Sequence, residues 1–338
     1  MPLDVTLIEG DGIGAEITAE TVKVLEATGL RFTWDRRLAG MAAVDAVGTP
    51  LPDETLESIR KTSLALKGPL TTPVGTGYRS VNVGLRKAFE LYANLRPARS
   101  IVPGGRYQGI DIVLVRENLE GLYVGVENYV QVGSDPRAVA QSMAIVTRLG
   151  CERIVRYAFE YAVRHRRKKV TIVHKANILK MASGLFLETA RQVAAEYEGR
   201  VASSDMIIDN TAMQLVMRPE QFDVMVTTNM FGDILSDEIS GLVGGLGLAP
   251  GANIGPSAAI FEAVHGSAPD IAGKGVANPS AQMLAAAMLL DHVGEVERGN
   301  RVREALEDVI VRQNIRTRDL GGTAGTREFG DAVARRVA

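Results

Sequence analysis

The stretch Val5-Thr6-Leu7-Ile8-Glu9-Gly10-Asp11-Gly12-Ile13-Gly14-Ala15 decides how the fold is read. Val5–Ile8 has the composition of a short strand, and the apolar spacing over about Ala15–Thr28 predicts a helix. Between them Gly10, Gly12 and Ala15 match the glycine pattern of a dinucleotide-binding turn, and Asp35 follows about twenty residues on, where such folds keep a ribose ligand. The competing reading is a tight strand-to-helix turn that requires small residues. Asp11 weighs toward the turn, because its carboxylate stands where a pyrophosphate has to approach the backbone.

Outward from this turn, strands and helices alternate. A strand at Arg31–Trp34, a helix at about Pro52–Lys61 and a strand at Ser63–Lys67 come first. A second series has strands at Ile110–Arg116, Val170–His174 and Val224–Thr227, with helices around Val139–Arg164, Gly184–Tyr197 and Thr211–Arg218. Two further helical patterns, Ser280–Asp291 and Asn300–Val311, follow a Gly- and Pro-bearing passage. The pattern is α/β. The 338 residues, 46% hydrophobic and 23% charged, suffice for two domains. A net charge of −2 gives no electrostatic case for nucleic acid or an anionic membrane as a partner. Cys151 stands alone, so no disulfide framework or cysteine metal site is expected. The start of the chain lacks a signal-peptide pattern, and its longest apolar run, Met283–Leu290, is too short to span a bilayer. A cytoplasmic protein is expected.

The segment Asn229-Met230-Phe231-Gly232-Asp233-Ile234-Leu235-Ser236-Asp237-Glu238 puts Asp233 and Asp237 four residues apart, on one helical face. Two carboxylates so placed repel unless a divalent cation lies between them, and oxygen donors favour Mg²⁺ or Mn²⁺. The alternative is a solvated pair favoured by the helix dipole. Arg86, Arg96 and Arg116 fall at loop or element ends with Ser80 and Asn82 nearby, a set suited to a substrate with several carboxylates. Tyr123 and Lys175 are candidate proton-transfer groups; the alternatives are a packed tyrosine and an ordinary strand-end lysine.

Together these segments resemble the β-decarboxylating dehydrogenase family of isocitrate, 3-isopropylmalate, homoisocitrate and tartrate dehydrogenases. The resemblance runs through Gly10–Gly14, Asn94–Pro97, Arg116-Glu117-Asn118 with Tyr123, Lys175-Ala176-Asn177, Asn229–Asp237, Gly244–Gly251 and Glu262–Pro279. It implies an isocitrate/isopropylmalate dehydrogenase-like α/β fold without a standard Rossmann domain. It also implies a large cofactor-binding domain of residues 1–98 and 245–338 and a small metal-binding, dimerising domain of 99–244. By the same resemblance, Arg86, Arg96 and Arg116 hold the malate-like part of the substrate, with Thr72 and Asn177 as further contacts. Asp209, Asp233 and Asp237 ligate the cation, Lys175 takes part in removing the hydroxyl proton, and Tyr123 protonates the enolate. A homodimer or higher homo-oligomer is implied, with Lys175 and Asp209 serving a site whose Tyr123, Asp233 and Asp237 come from the other copy.

Ser80 and Asn82 resemble the short polar residues of isocitrate enzymes, where isopropylmalate enzymes are apolar and homoisocitrate enzymes tend to carry an arginine near Val83. Either residue could instead serve its own turn. NADP-dependent relatives typically have lysine and tyrosine where this chain has Asp270 and Ile271, so NAD is expected. Thr71, Glu262, His265, Gly266 and Asn278 complete the implied cofactor contacts, with Lys67 near the substrate and nicotinamide. The expected activity is NAD-dependent oxidative decarboxylation of isocitrate; homoisocitrate or 3-isopropylmalate dehydrogenase is the alternative within the family. A non-catalytic regulatory subunit and a metal-free Rossmann-type 2-hydroxy-acid dehydrogenase are the alternatives outside it.

Overall fold

A computed structural model describes residues 2–73, 75 and 77–338. In chain order its first elements are β1 (Leu3–Ile8), α1 (Gly14–Ala27), β2 (Phe32–Arg37), α2 (Met41–Val47), α3 (Asp53–Thr62), β3 (Leu64–Lys67), α4 (Val81–Ala88) and β4 (Ala93–Arg99). Then come β5 (Asp111–Glu117), β6 (Gly121–Val132), β7 (Asp135–Ile145), α5 (Arg148–Arg164), β8 (Lys169–His174), α6 (Ala182–Ala195), β9 (Ala202–Ile207), α7 (Ile208–Met217), β10 (Val224–Thr227) and α8 (Asn229–Val243). The chain closes with β11 (Pro250–Ile254), β12 (Ala259–Ala263), α9 (Ser280–His292), α10 (Val296–Glu307) and α11 (Thr326–Val337). Among the described residues no helix is long and apolar enough to cross a membrane.

The chain divides into two units: residues 1–91, 96–111 and 240–338, and residues 92–95 and 112–239. Residues 99–111 and 240–244, expected in the small domain, fall in the first unit, and residues 92–95, expected in the large domain, fall in the second.

In the first unit the strand order is β2-β1-β3-β12-β11, parallel except for β11 against β12. This is not the order of a standard Rossmann sheet. Residues 259–263 enter the sheet beside residues 64–67, so strands far apart in sequence become neighbours. Helix α9 packs on β11, β12 and β3, and its residues from Ser280 to Met283 and Ala285 to Leu290 are buried. A helix apolar on nearly every side belongs inside a core. Register aligns Ile8 with Lys67, and Lys67 with Glu262. The carboxyl ends of β1, β3 and β12 therefore form one edge, where α/β proteins place ligands.

In the second unit β5, β10, β8 and β9 are parallel in that order. Thr227 pairs with both Arg116 and Val173, which brings the residues after β5, β8 and β10 to one edge. The expected helix Val139–Arg164 is corrected here. Residues 135–145 are β7, paired antiparallel with β6, and helix begins only at Arg148, capped by the Thr147 hydroxyl accepting from Gly150 N–H. Both faces of the outer hairpin are exposed, so its residues carry no half-buried alternation to mark a strand.

Candidate active site

In the second unit, Arg116, the last residue but one of β5, has only 1% of its surface exposed. Its Nε and Nη2 donate to Asn229 Oδ1 at 3.0 and 2.8 Å, and its Nη1 pairs with Asp233. Asn229 Nδ2 donates to Glu120 O at 3.0 Å, which leaves Oδ1 to face the guanidinium. The Tyr123 hydroxyl donates to the other Asp233 oxygen, and the guanidinium lies 5.2 Å from the Tyr123 ring centre. A cation, a phenolic hydroxyl and a carboxylate thus meet in one hydrogen-bonded chain. Gly232 makes this possible: a Cβ there would stand 2.6 Å from Arg116 Cγ, so the arginine stem crosses α8 where the helix has no side chain. Arg116, Tyr123 and Asp233 are expected site residues from the sequence; Asn229 is not among them. The available signal was its position one helical turn before Asp233.

Asp237 follows Asp233 by one turn of α8 and is exposed. Two oxygen-donor side chains on one face fit a hard divalent cation, and a carboxylate accepting from Arg116 and Tyr123 retains lone pairs for it. Asp209, in the first turn of α7, pairs instead with Lys175 Nζ. That hydrogen bond holds the Asp209 carboxyl below the usual carboxylate range. Among the described residues no three His, Cys, Asp or Glu side chains form a metal-holding group. Lys175 follows β8 directly, and Asn177 is exposed in the same turn. Cys151 is buried, and burial pushes its thiol up to about 12, which removes it as a nucleophile at neutral pH.

In the first unit the glycine turn is filled by protein. A Cβ on Gly12 would lie 2.0 Å from Ser267 O, and one on Gly10 would lie 2.3 Å from Pro69 O. Ile13 N–H donates to Ser267 O and Asp11 N–H to Pro69 O, at 2.9 and 2.7 Å. The Asp11 carboxylate accepts from Thr71 N–H at 2.7 Å and Ala42 N–H at 3.2 Å. The expected role of Asp35 in the Rossmann alternative fails as well, because its carboxylate is engaged by the Ser58 hydroxyl and Arg37. The turn therefore fastens the chain after β3 to the chain after β12. Thr71 sits at that junction, its hydroxyl 2.8 Å from Ser267 Oγ and its carbonyl accepting from Tyr78 OH. Thr72 beside it is exposed.

Lys67 Nζ pairs with Glu262 at 2.7 Å inside this edge, both groups buried. Burial pushes the Glu262 carboxyl up, but Lys67, Arg86 and the amide of Asn253 outweigh it and hold the group well below the ordinary carboxylate range. Arg86, in the last turn of α4, and Arg96, in β4, are both buried. Ser80 is the N-cap of α4, its hydroxyl facing Val83 N–H at 3.5 Å, so one of the two substrate candidates has a local structural task. The other differs: Asn82 Oδ1 is buried without a hydrogen-bond partner.

The loop after β12 carries the cofactor candidates. His265 Nδ1 faces Gly266 O at 2.9 Å, and Nε2 is buried without a partner. A proton on Nδ1 leaves Nε2 as an acceptor, and burial lowers the imidazole pKa, which keeps it neutral. An orphaned buried acceptor fits an exocyclic amine such as adenine's. Asp270 is exposed in the short helical turn Pro269–Ile271, while Ile271 packs against Ile13, Ile17 and Ala277. Asn278 has both polar atoms engaged, donating to Asp319 and accepting from Ser280 N–H, each at 2.9 Å.

Comparison with known proteins covers the whole chain. The sequence profile described as isocitrate/isopropylmalate dehydrogenase matches residues 4–333. The isocitrate/homoisocitrate dehydrogenase of Thermus thermophilus is 50% identical over 98% of both chains. The homoisocitrate dehydrogenase of Methanocaldococcus jannaschii is 46% identical over 98% of this chain and 96% of its own. The crystal structure of isocitrate dehydrogenase from Methylococcus capsulatus superposes with a TM-score of 0.97 at 56% identity, covering 100% of this chain and 99% of that one.

Proposed function

Because the chain belongs to the isocitrate/isopropylmalate dehydrogenase family, we propose that it oxidatively decarboxylates isocitrate to 2-oxoglutarate and CO₂, using NAD and a divalent cation. The observation that carries the reading is the hydrogen-bonded chain of Arg116, Tyr123 and Asp233. It joins a carboxylate anchor, a proton donor and a metal-type oxygen ligand. Arg86, Arg96 and Arg116 bind the malate-like carboxylates, with Thr72 and Asn177 as lesser contacts. Lys175 takes part in removing the substrate hydroxyl proton as hydride leaves the carbon that bears the hydroxyl, and Tyr123 later gives a proton to the decarboxylated enolate. A cation held by Asp233 and Asp237, with Asp209 from a second copy, would supply Lewis-acid polarisation of the substrate oxygen, and the nicotinamide would accept the hydride.

The pairing of Asp209 with Lys175, and of Asp233 with Arg116 and Tyr123, supports a composite site in a homodimer. So do the exposed apolar residues of the second unit. Tyr129, Val132 and Met143 on the hairpin, Met181 beyond Lys175, Met217 on α7 and Ile234 on α8 are each exposed by more than half. A second copy of the chain is the proposed cover.

Isocitrate is preferred over homoisocitrate because Val83 stands where homoisocitrate enzymes tend to carry an additional arginine. Homoisocitrate is the second reading, favoured by the names of the two relatives above. One methylene separates the substrates, so the expected preference in kcat/KM is about 10- to 200-fold. For the cofactor, Thr71, Glu262, His265, Gly266 and Asn278 are assigned to NAD, with Asp270 disfavouring a 2′-phosphate. Steady-state assays with isocitrate, homoisocitrate and 3-isopropylmalate, each with NAD and NADP, test the assignment. NADH formation from isocitrate that stops in excess EDTA is expected. Turnover unchanged by EDTA, or a higher kcat/KM for another substrate, overturns it.

A further inference from the structure

The turn that presents Lys175 is fastened by two side chains outside the proposed chemistry. Lys175 N–H donates to the Ser183 hydroxyl at 2.8 Å, and Ala176 N–H donates to His174 Nδ1 at 3.1 Å. The Lys175 carbonyl accepts from Ile178 and Leu179 N–H at 3.1 and 2.9 Å. β8 ends at His174 and α6 begins at Ala182, so the two amides at Lys175 and Ala176 depend on side-chain acceptors. Ser183 and His174 are both buried, the latter 5% exposed.

An imidazole that accepts the amide two residues on does the work of an Asx-turn. That task fixes its tautomer: Nδ1 must be bare, so Nε2 carries the hydrogen. Nε2 is buried without a hydrogen bond, and the group it faces is Asp205 Oδ2 at 3.5 Å. Asp205 Oδ1 in turn receives Nε and Nη2 of Arg191 at 3.1 and 2.8 Å. A carboxylate on the Nε2 side favours the proton there and not on Nδ1.

We infer that His174 and Ser183 are positioning residues for Lys175, with Asp205 and Arg191 holding the imidazole in the tautomer that can accept from Ala176. The inference rests on the reading of Lys175 as the proton-transfer group. His174→Phe keeps a ring in the core but removes the acceptor. Its kcat should fall about 10- to 100-fold, the loss that roughly an ångström of misplacement causes, while the KM for isocitrate stays within about twofold. His174→Asn can bond its own i+2 amide and should restore kcat to within about threefold of the parent. A residue that merely fills the core would not be rescued by a shorter polar side chain.

Lys175→Met is measured beside them. If it retains turnover, the proton-transfer reading falls, whatever His174 does. If it is inactive while His174→Phe runs at the parent kcat, the positioning inference alone is overturned. Should His174→Phe not fold, Ser183→Ala decides in its place: reduced kcat at constant KM supports the inference, and an unchanged kcat overturns it.

Discussion

Replacing Gly232 with alanine places one methyl group against the stem of Arg116. The added Cβ would lie 2.6, 2.8 and 3.2 Å from Arg116 Cγ, Cβ and Cδ. Ordinary carbon contacts need about 3.5–4.0 Å, so the stem has to move by roughly an ångström. The guanidinium is held to Asn229 at 3.0 and 2.8 Å, and an ångström more takes both bonds out of hydrogen-bonding range. Overpacking of this kind costs about 1–3 kcal/mol, offset by about 1 kcal/mol because alanine favours the helix. Net stability therefore falls by about 0–2 kcal/mol, a small change beside the catalytic one. An ångström of displacement at a group that holds the substrate costs about a hundredfold in kcat/KM, near 2.7 kcal/mol. The control is Gly241→Ala in the same helix, where no atom lies within 4 Å of the new methyl. It should be stabilising by about 0.5–1 kcal/mol and leave isocitrate turnover intact. Steady-state kinetics and thermal unfolding of both variants are the assays. If Gly232→Ala keeps kcat/KM within about twofold of the parent, the crossing of Arg116 over α8 does not set the substrate site.

Three more outcomes are expected. Asp270→Lys with Ile271→Tyr should move the kcat/KM ratio toward NADP, since a unit charge about 4 Å from an aspartate near the surface feels repulsion on the order of 4 kcal/mol before screening; Asp35→Ala, whose partners are Ser58 and Arg37, should leave the ratio unchanged. Lys175→Met and Asp237→Asn homodimers should both be nearly inactive, yet an equal mixture, unfolded and refolded together, should recover roughly a quarter of parental activity by random pairing; mixed dimers without activity refute the composite site. Burial lowers the His265 pKa from its ordinary 6.5, so the folded chain binds fewer protons there than the unfolded one, and this group's stabilising contribution falls as pH drops through 6.5. The KM for NAD should stay flat through that pH and rise only further into acid, where Nε2 becomes a donor; a His265→Gln variant that shows the same acid rise would sink this account.

Much of the sheet was legible because Val5–Ile8, Val170–His174 and Val224–Thr227 are apolar runs that end in polar residues. The outer hairpin was not, since strands exposed on both faces have no core to impose a two-residue period. Residues 250–254 lie inside a glycine- and proline-bearing passage and 259–263 just beyond it, and these buried strands are five residues each, too short for periodicity to speak. Asp233 and Arg116 were named from their chemistry, but their contact depends on the register that sets Thr227 beside Arg116, which no local pattern encodes. Asp11 shows how a motif can match while its use differs: the glycines around it admit neighbouring backbone at Pro69 and Ser267, and no space remains for a pyrophosphate.

The insertion of β12 beside β3 also sets a timetable for synthesis. β3 ends at Lys67 and β12 starts at Ala259, so a ribosome adding 5–20 residues per second leaves that sheet edge without its partner for roughly 10–40 s. The parallel strands β5, β8, β9 and β10, by contrast, are complete once residue 227 has left the exit tunnel. The nascent chain consequently carries a finished central unit while its earliest strands still expose an open hydrogen-bonding edge, the form of strand most prone to pairing with a neighbouring chain. Crowded polysomes are where that hazard is greatest, and a holdase that shields residues 64–67 until the last third of the chain emerges would remove it.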